Sequence, residues 1–455
     1  MKLRAKIMLF FGMNKFLYIF PLIAAFFLCS CSSDSSTSTV KSSVAKLSAF
    51  SFAKNDSMPG LAAAVFTIDE RLDTGLVWNK DSILYGTSLD TVVPKFTFAA
   101  TPSSAILKTP DTTLALTGYD TLSFSKQPIY ITIRSQDGTN TKVYEIRPSV
   151  HQVDPDLYTW TLLTDGVYPV DESEQRVVEL DDEFVMIRTN GFELYAYSSV
   201  DGETWTDLGM VSGLPGSARV RQIISNGDTL FYGEDNMIFQ SVDAVNWDVT
   251  YVSYEVQTMI MYWNDHIWVL VDNDGQELAY WNGTELTLTG LKPMSDFPIS
   301  DFAAVQFSSS SERARAMIIG GFAENGRSLN SRWNFEYSRH IKENGGYRIE
   351  EYSIDRPTFT TLTGVSVIWY NDQLLMFGGV DADMKYFGRD ILISNDEGLN
   401  WTQADSVKNQ LPEVYQARQK QTAIVRDNYI YLFGGQDNIT TFSDVYRGKL
   451  NSIDW

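Results

Sequence analysis

The sequence predicts an all-β fold, and three observations carry that expectation. Tyr, Trp, Phe and Thr are abundant (23 Tyr, 11 Trp and 26 Phe) while long Ala/Leu/Glu/Lys runs are scarce, a composition that favours strands over helices. A short phrase then recurs six times between about residues 175 and 455: an apolar strand, a tight polar turn and a second apolar strand. The turns are Leu180-Asp181-Asp182, Ser225-Asn226-Gly227, Trp263-Asn264-Asp265, Ser308-Ser309-Ser310, Tyr370-Asn371-Asp372 and Arg426-Asp427-Asn428. Finally, a spacing of about 50 residues matches a four-stranded β-propeller blade with its loops. At 455 residues the chain is long for a single core, so a second folded region is expected ahead of the repeats.

The first segment reads as an address. Asn14-Lys15 precedes an apolar stretch from Phe16 to Phe27, then Leu28-Cys29-Ser30-Cys31-Ser32-Ser33-Asp34. Its apolar part is short of the roughly 20 residues a membrane span needs. Met1 to Gly12 reads as an upstream extension, with Met13 as an alternative start. Leu at −3 and Ser at −1 before Cys31 resemble a bacterial lipobox, which implies cleavage after residue 30 and lipidation of Cys31; a plain secretory signal with an incidental Cys pair is the alternative. Both cysteines lie here, so the folded body must rely on its core without disulfides. Residues 31–46, Ser/Thr-rich and without apolar periodicity, read as a tether that reaches about 50 Å when taut.

Residues 47–155 are expected to form the separate small domain. Strand-like runs are Ala62–Ile68, Thr91–Phe98 and Ile129–Arg134, and Gln136-Asp137-Gly138-Thr139 signals a hairpin into Lys142–Ile146. That closing hairpin resembles those of Ig- and cadherin-like sandwiches of secreted bacterial proteins. Asp81-Ser82 with Tyr85-Gly86-Thr87 resembles a segment of Bacteroidetes cell-surface lipoproteins. The segment holds no His, Cys or clustered-acid constellation, and a spacer or adhesion role is the plain expectation.

Residues 156–455 carry the repeats. The second strands are Phe184–Arg188, Thr229–Tyr232, Ile267–Val271, Ala316–Ile319, Leu374–Phe377 and Tyr429–Phe433. Runs such as Leu374-Leu375-Met376-Phe377 are apolar throughout, which requires cover on both faces. Gly320-Gly321, Gly378-Gly379 and Gly434-Gly435 follow directly, allowing positive φ and close approach of neighbouring sheets. The later units resemble kelch repeats, with Gly233 standing alone in the second unit and only Trp333, Phe387 and Tyr446 echoing the aromatics that follow. Ser394-Asn395-Asp396-Glu397-Gly398-Leu399-Asn400-Trp401 resembles an Asp-box, with shorter versions at Ser199–Trp205 and Ser241–Trp247, which implies a structural turn. Tyr158–Leu163 resembles an outer strand and is expected to close the ring against the last blade. The resemblance as a whole is to a small Ig-like β-sandwich followed by a six-bladed kelch-like β-propeller, the layout of Bacteroidetes lipoproteins.

Chemistry is less legible. The formal charge is −21, which repels nucleic acid and anionic headgroups and leaves glycans, cations, peptides and proteins as partners, with the membrane reached only through the lipid anchor. The arginine-bearing Phe/Tyr-Arg-Ile-Pro signature of sialidases is missing, and a body without Cys excludes the Cys–Tyr chemistry of kelch-type copper oxidases. His151, His266 and His340 lack metal-ligand spacing, and neither metal nor cofactor is expected. Asp272–Glu277 has a calcium-loop flavour without the twelve-residue frame and reads as a hairpin turn.

Arg176, Arg219, Arg221, Arg418 and Lys420 lie where inner strands begin, at the channel mouth that propellers use for ligands, and form the candidate site for a carboxylate-bearing sugar or peptide. Pairing with Glu172, Glu174 and Glu413 is the structural alternative. The expected function is that of a surface-exposed outer-membrane lipoprotein binding glycan or protein, including carbohydrate recognition. A mutarotase- or epimerase-like enzyme at the same mouth, and a structural subunit of an envelope complex, are the rival classes.

Overall fold

The computed structural model describes residues 40–71, 73–168, 174–294, 296–310, 313–353, 361–405 and 409–451. The segment expected to be a signal peptide, Cys31, most of the expected tether and Glu172 lie outside the described residues. The described residues divide into two compact units, one holding those up to 81 with 88–149, the other those of 82–87 and from 150 on.

Among the described residues the first unit is all-β apart from one 3-10 turn. A six-stranded sheet runs in the order Phe66–Asp69, Thr74–Asn79, Thr141–Arg147, Ile129–Arg134, Ser104–Lys108, Thr113–Ala115. Its second and third strands are parallel. Leu47–Phe52 and Pro94–Phe98 form a separate antiparallel pair. Alternation places Ile129, Ile131 and Ile133 in the core with Leu107, Val77 and Ile146. Phe50, Phe52 and Phe66 pack edge-on to one another and Phe124 edge-on to Phe52, with centroids 4.7–5.5 Å apart. The Tyr144 ring lies where a Cβ on Gly75 would stand, and its hydroxyl accepts from the Leu47 amide at 3.0 Å and donates to Glu70 at 2.7 Å. The run Ala62–Ile68 is a strand only from Phe66, because Pro59–Leu61 form a 3-10 turn ahead of it.

The second unit is the propeller. Blade 1 comprises Glu174–Leu180, Glu183–Thr189, Leu194–Ser199 and Thr206–Met210. Blade 4 comprises Ala303–Ser310, Arg313–Ile319, Ser331–Ser338 and Tyr347–Ser353, and blade 5 comprises Ser366–Tyr370, Gln373–Phe377, Ile391–Ser394 and Thr402–Gln403. Blade 6 is built from Thr422–Arg426, Tyr429–Gln436 and Thr441–Leu450, with Tyr158–Thr164 pairing antiparallel to the last of these as the outer strand. Blades 2 and 3 share one continuous ladder. Leu230–Ser241 serves as second and third strand of blade 2, and the 16-residue strand Asp248–Trp263 passes from the outer edge of blade 2 to the inner edge of blade 3.

The tight turns follow from backbone sterics. Asp181-Asp182, Asn264-Asp265, Asn371-Asp372 and Asp427-Asn428 each hold two consecutive residues at φ between 48° and 63°, the left-handed pair that a two-residue hairpin loop demands and that Asn and Asp tolerate best.

Second strands bury both faces because adjacent blades take alternate residues. Leu374 and Met376 pack with Met317 and Ile319 of blade 4, while Leu375 and Phe377 pack with Ile430 and Leu432 of blade 6. Tyr431 and Phe433 in turn meet Phe184 and Met186 of blade 1, and Val185 and Ile187 meet Val220, Leu230 and Tyr232 of blade 2. Ile267 and Val269 face blade 2, and Trp268 and Leu270 face Ala316, Ile318 and Phe335 of blade 4. Each such side chain contributes about 1.5–3 kcal/mol of transfer free energy.

The Gly-Gly doublets sit where consecutive blades touch. A Cβ on Gly378 would stand 2.6 Å from the Arg418 carbonyl at the start of blade 6. One on Gly434 would overlap the Gln175 side chain of blade 1. In blade 2 the chain stays in the ladder, and Gly233 instead gives room to Met259 Sδ, 2.7 Å from where its Cβ would lie.

Candidate functional site

In each blade the meander sends the first strand down the axis in the same sense, so the segments preceding these strands gather at one mouth. A cavity of about 190 Å³ lies there, lined by Glu174, Arg176, Arg219, Arg221, Gln222 and Asp301 above an aliphatic wall.

A backbone belt frames the mouth. Asp301, Gly364 and Lys420 each lie two residues before an inner strand and hold φ of 50°, 65° and 58°. The Gly364 amide donates to the Asp301 carbonyl at 2.8 Å, and the Lys420 amide donates to the Gly364 carbonyl at 2.7 Å. The Arg221 guanidinium donates to the Lys420 carbonyl across the ring. Two non-glycine residues in the left-handed region cost of order 1 kcal/mol or more each, a strain the belt's hydrogen bonds hold in place.

The cations are placed by this frame. Arg221 Nε lies 3.2 Å from Asp301 Oδ1, and Lys420 Nζ lies 2.8 Å from Glu174 Oε1 and 3.4 Å from Asp301 Oδ2. Burial opposes the Lys420 charge, but Asp301 and Glu174 outweigh it and hold the ammonium above the ordinary lysine value. Arg219 donates to the Gln257 carbonyl at 3.1 Å, and its amide donates to the Tyr232 hydroxyl at 3.1 Å. The 3-10 turn Val220–Gln222 sets both arginines, anchored by buried Val220 and by Gln222 Nε2, which donates to the Ile299 carbonyl at 3.0 Å.

Arg176 completes the set. Its Nε, like that of Arg221, is shielded from solvent and has no hydrogen-bond partner. Burial, with Arg221 as a second cause, lowers its guanidinium to about 10. An arginine ordinarily keeps its charge to above pH 12, so this one is held against its own desolvation, while the carboxylates of its cavity, Glu174 and Asp301, are engaged by Lys420 and Arg221.

Arg418 is a correction to the sequence-derived site. It is 1% exposed and turned away from the mouth. Its guanidinium forms a two-pronged ion pair with Asp444 (Nη2–Oδ2 3.0 Å) and donates to the Gly434 carbonyl at 3.0 Å. Its carbon atom Cζ lies 3.9 Å from the Phe442 ring centroid and 4.4 Å from that of Tyr415. With every face engaged it is a structural cation of blade 6. Arg176, Arg219, Arg221 and Lys420 are brought together, and Asp301, Gly364 and Gln222 join them unforeseen. Counting back two residues from each inner strand would have found Asp301 and Gly364.

Other singled-out residues take structural places. Asp272–Glu277 is the hairpin between His266–Asp272 and Gln276–Trp281, with Asp274 at φ 51° and Gly275 at 103°. Glu277 is buried and accepts from the Gly290 amide at 2.9 Å. His266 Nδ1 sits 2.7 Å from the Asn264 carbonyl. Among the described residues no group of three or more His, Cys, Asp or Glu is gathered to hold a metal ion, and no helix is long and apolar enough to cross a membrane. In the turns at Ser199, Ser241 and Ser394 an Asp carboxylate caps backbone amides: Asp201 accepts from Glu203 and Thr204 at 2.8 Å, and Asp396 from Asn400 at 2.8 Å.

Fold and site together define a β-propeller protein with an N-terminal β domain. Residues 154–455 match the model of the DUF6242 beta propeller domain, and residues 34–147 match that of the DUF6242 N-terminal domain, a domain of unknown function; the chain belongs to this family. Among solved structures, one described as "Structure of YjhT" is similar at 12% identity and a TM-score of 0.44, over 62% of this chain and 96% of that one. Comparison with curated proteins yields no match.

Proposed function

We propose that the protein is a binding module of the cell envelope. Cys31 carries a lipid anchor on the outer membrane, the Ser/Thr-rich segment is its tether, and the propeller takes an anionic group of a glycan or protein at the cationic mouth. The observation that carries this reading is Arg176: a half-buried guanidinium whose Nε is shielded from solvent and without a hydrogen-bond partner, sharing its cavity with Arg219 and Arg221. Such a group is costly in the empty protein and is repaid by an anion. The gathering of Arg176, Arg219 and Arg221 at one cavity stands against a net charge of −21 for the chain. Glu174 and Asp301 are tied to Lys420 and Arg221, an arrangement that suits holding a ligand.

The anchor reading rests on the lipobox pattern at Leu28–Cys31 and is tested by metabolic labelling with a fatty-acid analogue: the wild type incorporates label and Cys31→Ser does not. For the site, uronate- or sialyl-bearing glycans and carboxylate-bearing peptides are screened on an array. Binding is expected to vanish with Arg176→Ala and Arg221→Ala; binding that survives both substitutions refutes the assignment.

A further inference from the structure

The mouth holds more than charge, and what lies beneath the arginines narrows the ligand. The wall below them is aliphatic: Ile224, Met259, Ile260, Val365, Val367 and Ala423. Of the two serines in the lining, Ser300 and Ser366, the hydroxyl of Ser366 donates to the Gln421 carbonyl. A sugar acid entering here would bury several hydroxyls against a mostly hydrocarbon wall, where an unsatisfied one is costly. An aliphatic side chain gains from the same wall.

Gln222 supplies the third feature. It is 6% exposed and lines the cavity. Its Nε2 is spent on the Ile299 carbonyl, while its Oε1 is buried and has no partner. Beside the arginines, therefore, stands an acceptor in want of an N–H. At about 190 Å³ the cavity is smaller than the 300–1,000 Å³ of pockets for drug-sized ligands, room for one residue rather than an extended chain.

We propose that the mouth captures the C-terminal residue of a polypeptide ending in an aliphatic side chain. The terminal carboxylate meets Arg176 with Arg219 and Arg221, the last amide N–H meets Gln222 Oε1, and the side chain lies on the wall of Ile224, Val365 and Val367. This rests on the anionic-ligand reading above and selects within it.

The test is calorimetric titration of the full-length protein with four probes: the peptide acetyl-Gly-Gly-Leu with a free carboxylate, the same peptide as its C-terminal amide, 4-methylpentanoate, and D-glucuronate. The free peptide is expected to bind most tightly and the amide at least about tenfold more weakly, since a charge-assisted hydrogen bond is lost. 4-Methylpentanoate keeps the charge and the side chain but lacks the N–H, and is expected to fall between them. Arg176→Gln is expected to reduce the free peptide to the level of the amide, and Gln222→Leu to reduce it to the level of 4-methylpentanoate while leaving 4-methylpentanoate itself unchanged. Glucuronate binding as tightly as the peptide, in a manner Arg176→Gln abolishes, overturns this inference and leaves the anionic site standing. 4-Methylpentanoate equal to the peptide overturns the polypeptide assignment in favour of a free carboxylic acid. No binding of any carboxylate overturns both.

Discussion

Arg176 brings a positive charge into a place where burial and Arg221 both oppose it, and the consequence is a definite pH dependence. Its native value of about 10 lies below that of an arginine in the unfolded chain. The energetic cost of carrying the charge is therefore fully present below pH 10 and is relieved as pH rises from there toward the unfolded value. Carboxylate affinity at the mouth is expected to stay level from pH 7 to 9 and to fall as pH rises through about 10, whereas Lys420, raised by Asp301 and Glu174, retains its charge further up. A titration series across that range checks it. Arg418 behaves oppositely. Arg418→Ala strands Asp444 and the Gly434 carbonyl and is expected to cost about 3–5 kcal/mol in denaturant unfolding. The two arginines look alike in sequence; they part because the Arg418 side chain finds Asp444, 26 residues on, and no local pattern announces that partner among 57 acids. Gly378→Ala adds a Cβ against a backbone carbonyl at φ 59° and is expected to cost about 2 kcal/mol or more.

At the scale of single elements, the strand Gln373–Phe377 makes the most discriminating prediction. Leu374 and Leu375 are neighbours in sequence, fully buried, and packed against different blades. Leu374→Ala and Leu375→Ala are each expected to cost about 2–5 kcal/mol; in a sheet with one wet face, one of the two would cost almost nothing. This two-sided burial is why the run could be read from sequence, as could the turns at Asn371-Asp372 and Asp427-Asn428, whose residue types answer a local steric demand. The continuous strand Asp248–Trp263 was not legible. It joins two blades without a glycine or proline to mark the passage, and its 16 residues look like any pair of shorter strands. The belt of Asp301, Gly364 and Lys420 was equally hidden, because three different residue types occupy equivalent places and are joined by backbone hydrogen bonds rather than by any shared side chain.

For the whole molecule, the ring depends on the strand Tyr158–Thr164, which precedes blade 1 in sequence and completes blade 6 in space. Its Trp160 ring covers Gly448, where a Cβ would strike it, and reaches Phe377 of blade 5 at 6.0 Å between centroids. A chain that begins at residue 165 leaves the edge of Thr441–Leu450 unpaired and is expected to associate through it, visible as a concentration-dependent rise in mass by light scattering. Stability and recognition pull apart in such a ring, since the blades are held by apolar faces while the mouth keeps an unpaid charge. Thermal unfolding of the wild type and of Arg176→Met, each with and without acetyl-Gly-Gly-Leu, reads both at once. Arg176→Met is expected to melt higher than the wild type when no peptide is present, and peptide is expected to raise the melting temperature of the wild type alone. Arg176→Met melting lower, yet still shifted upward by peptide, would contradict both.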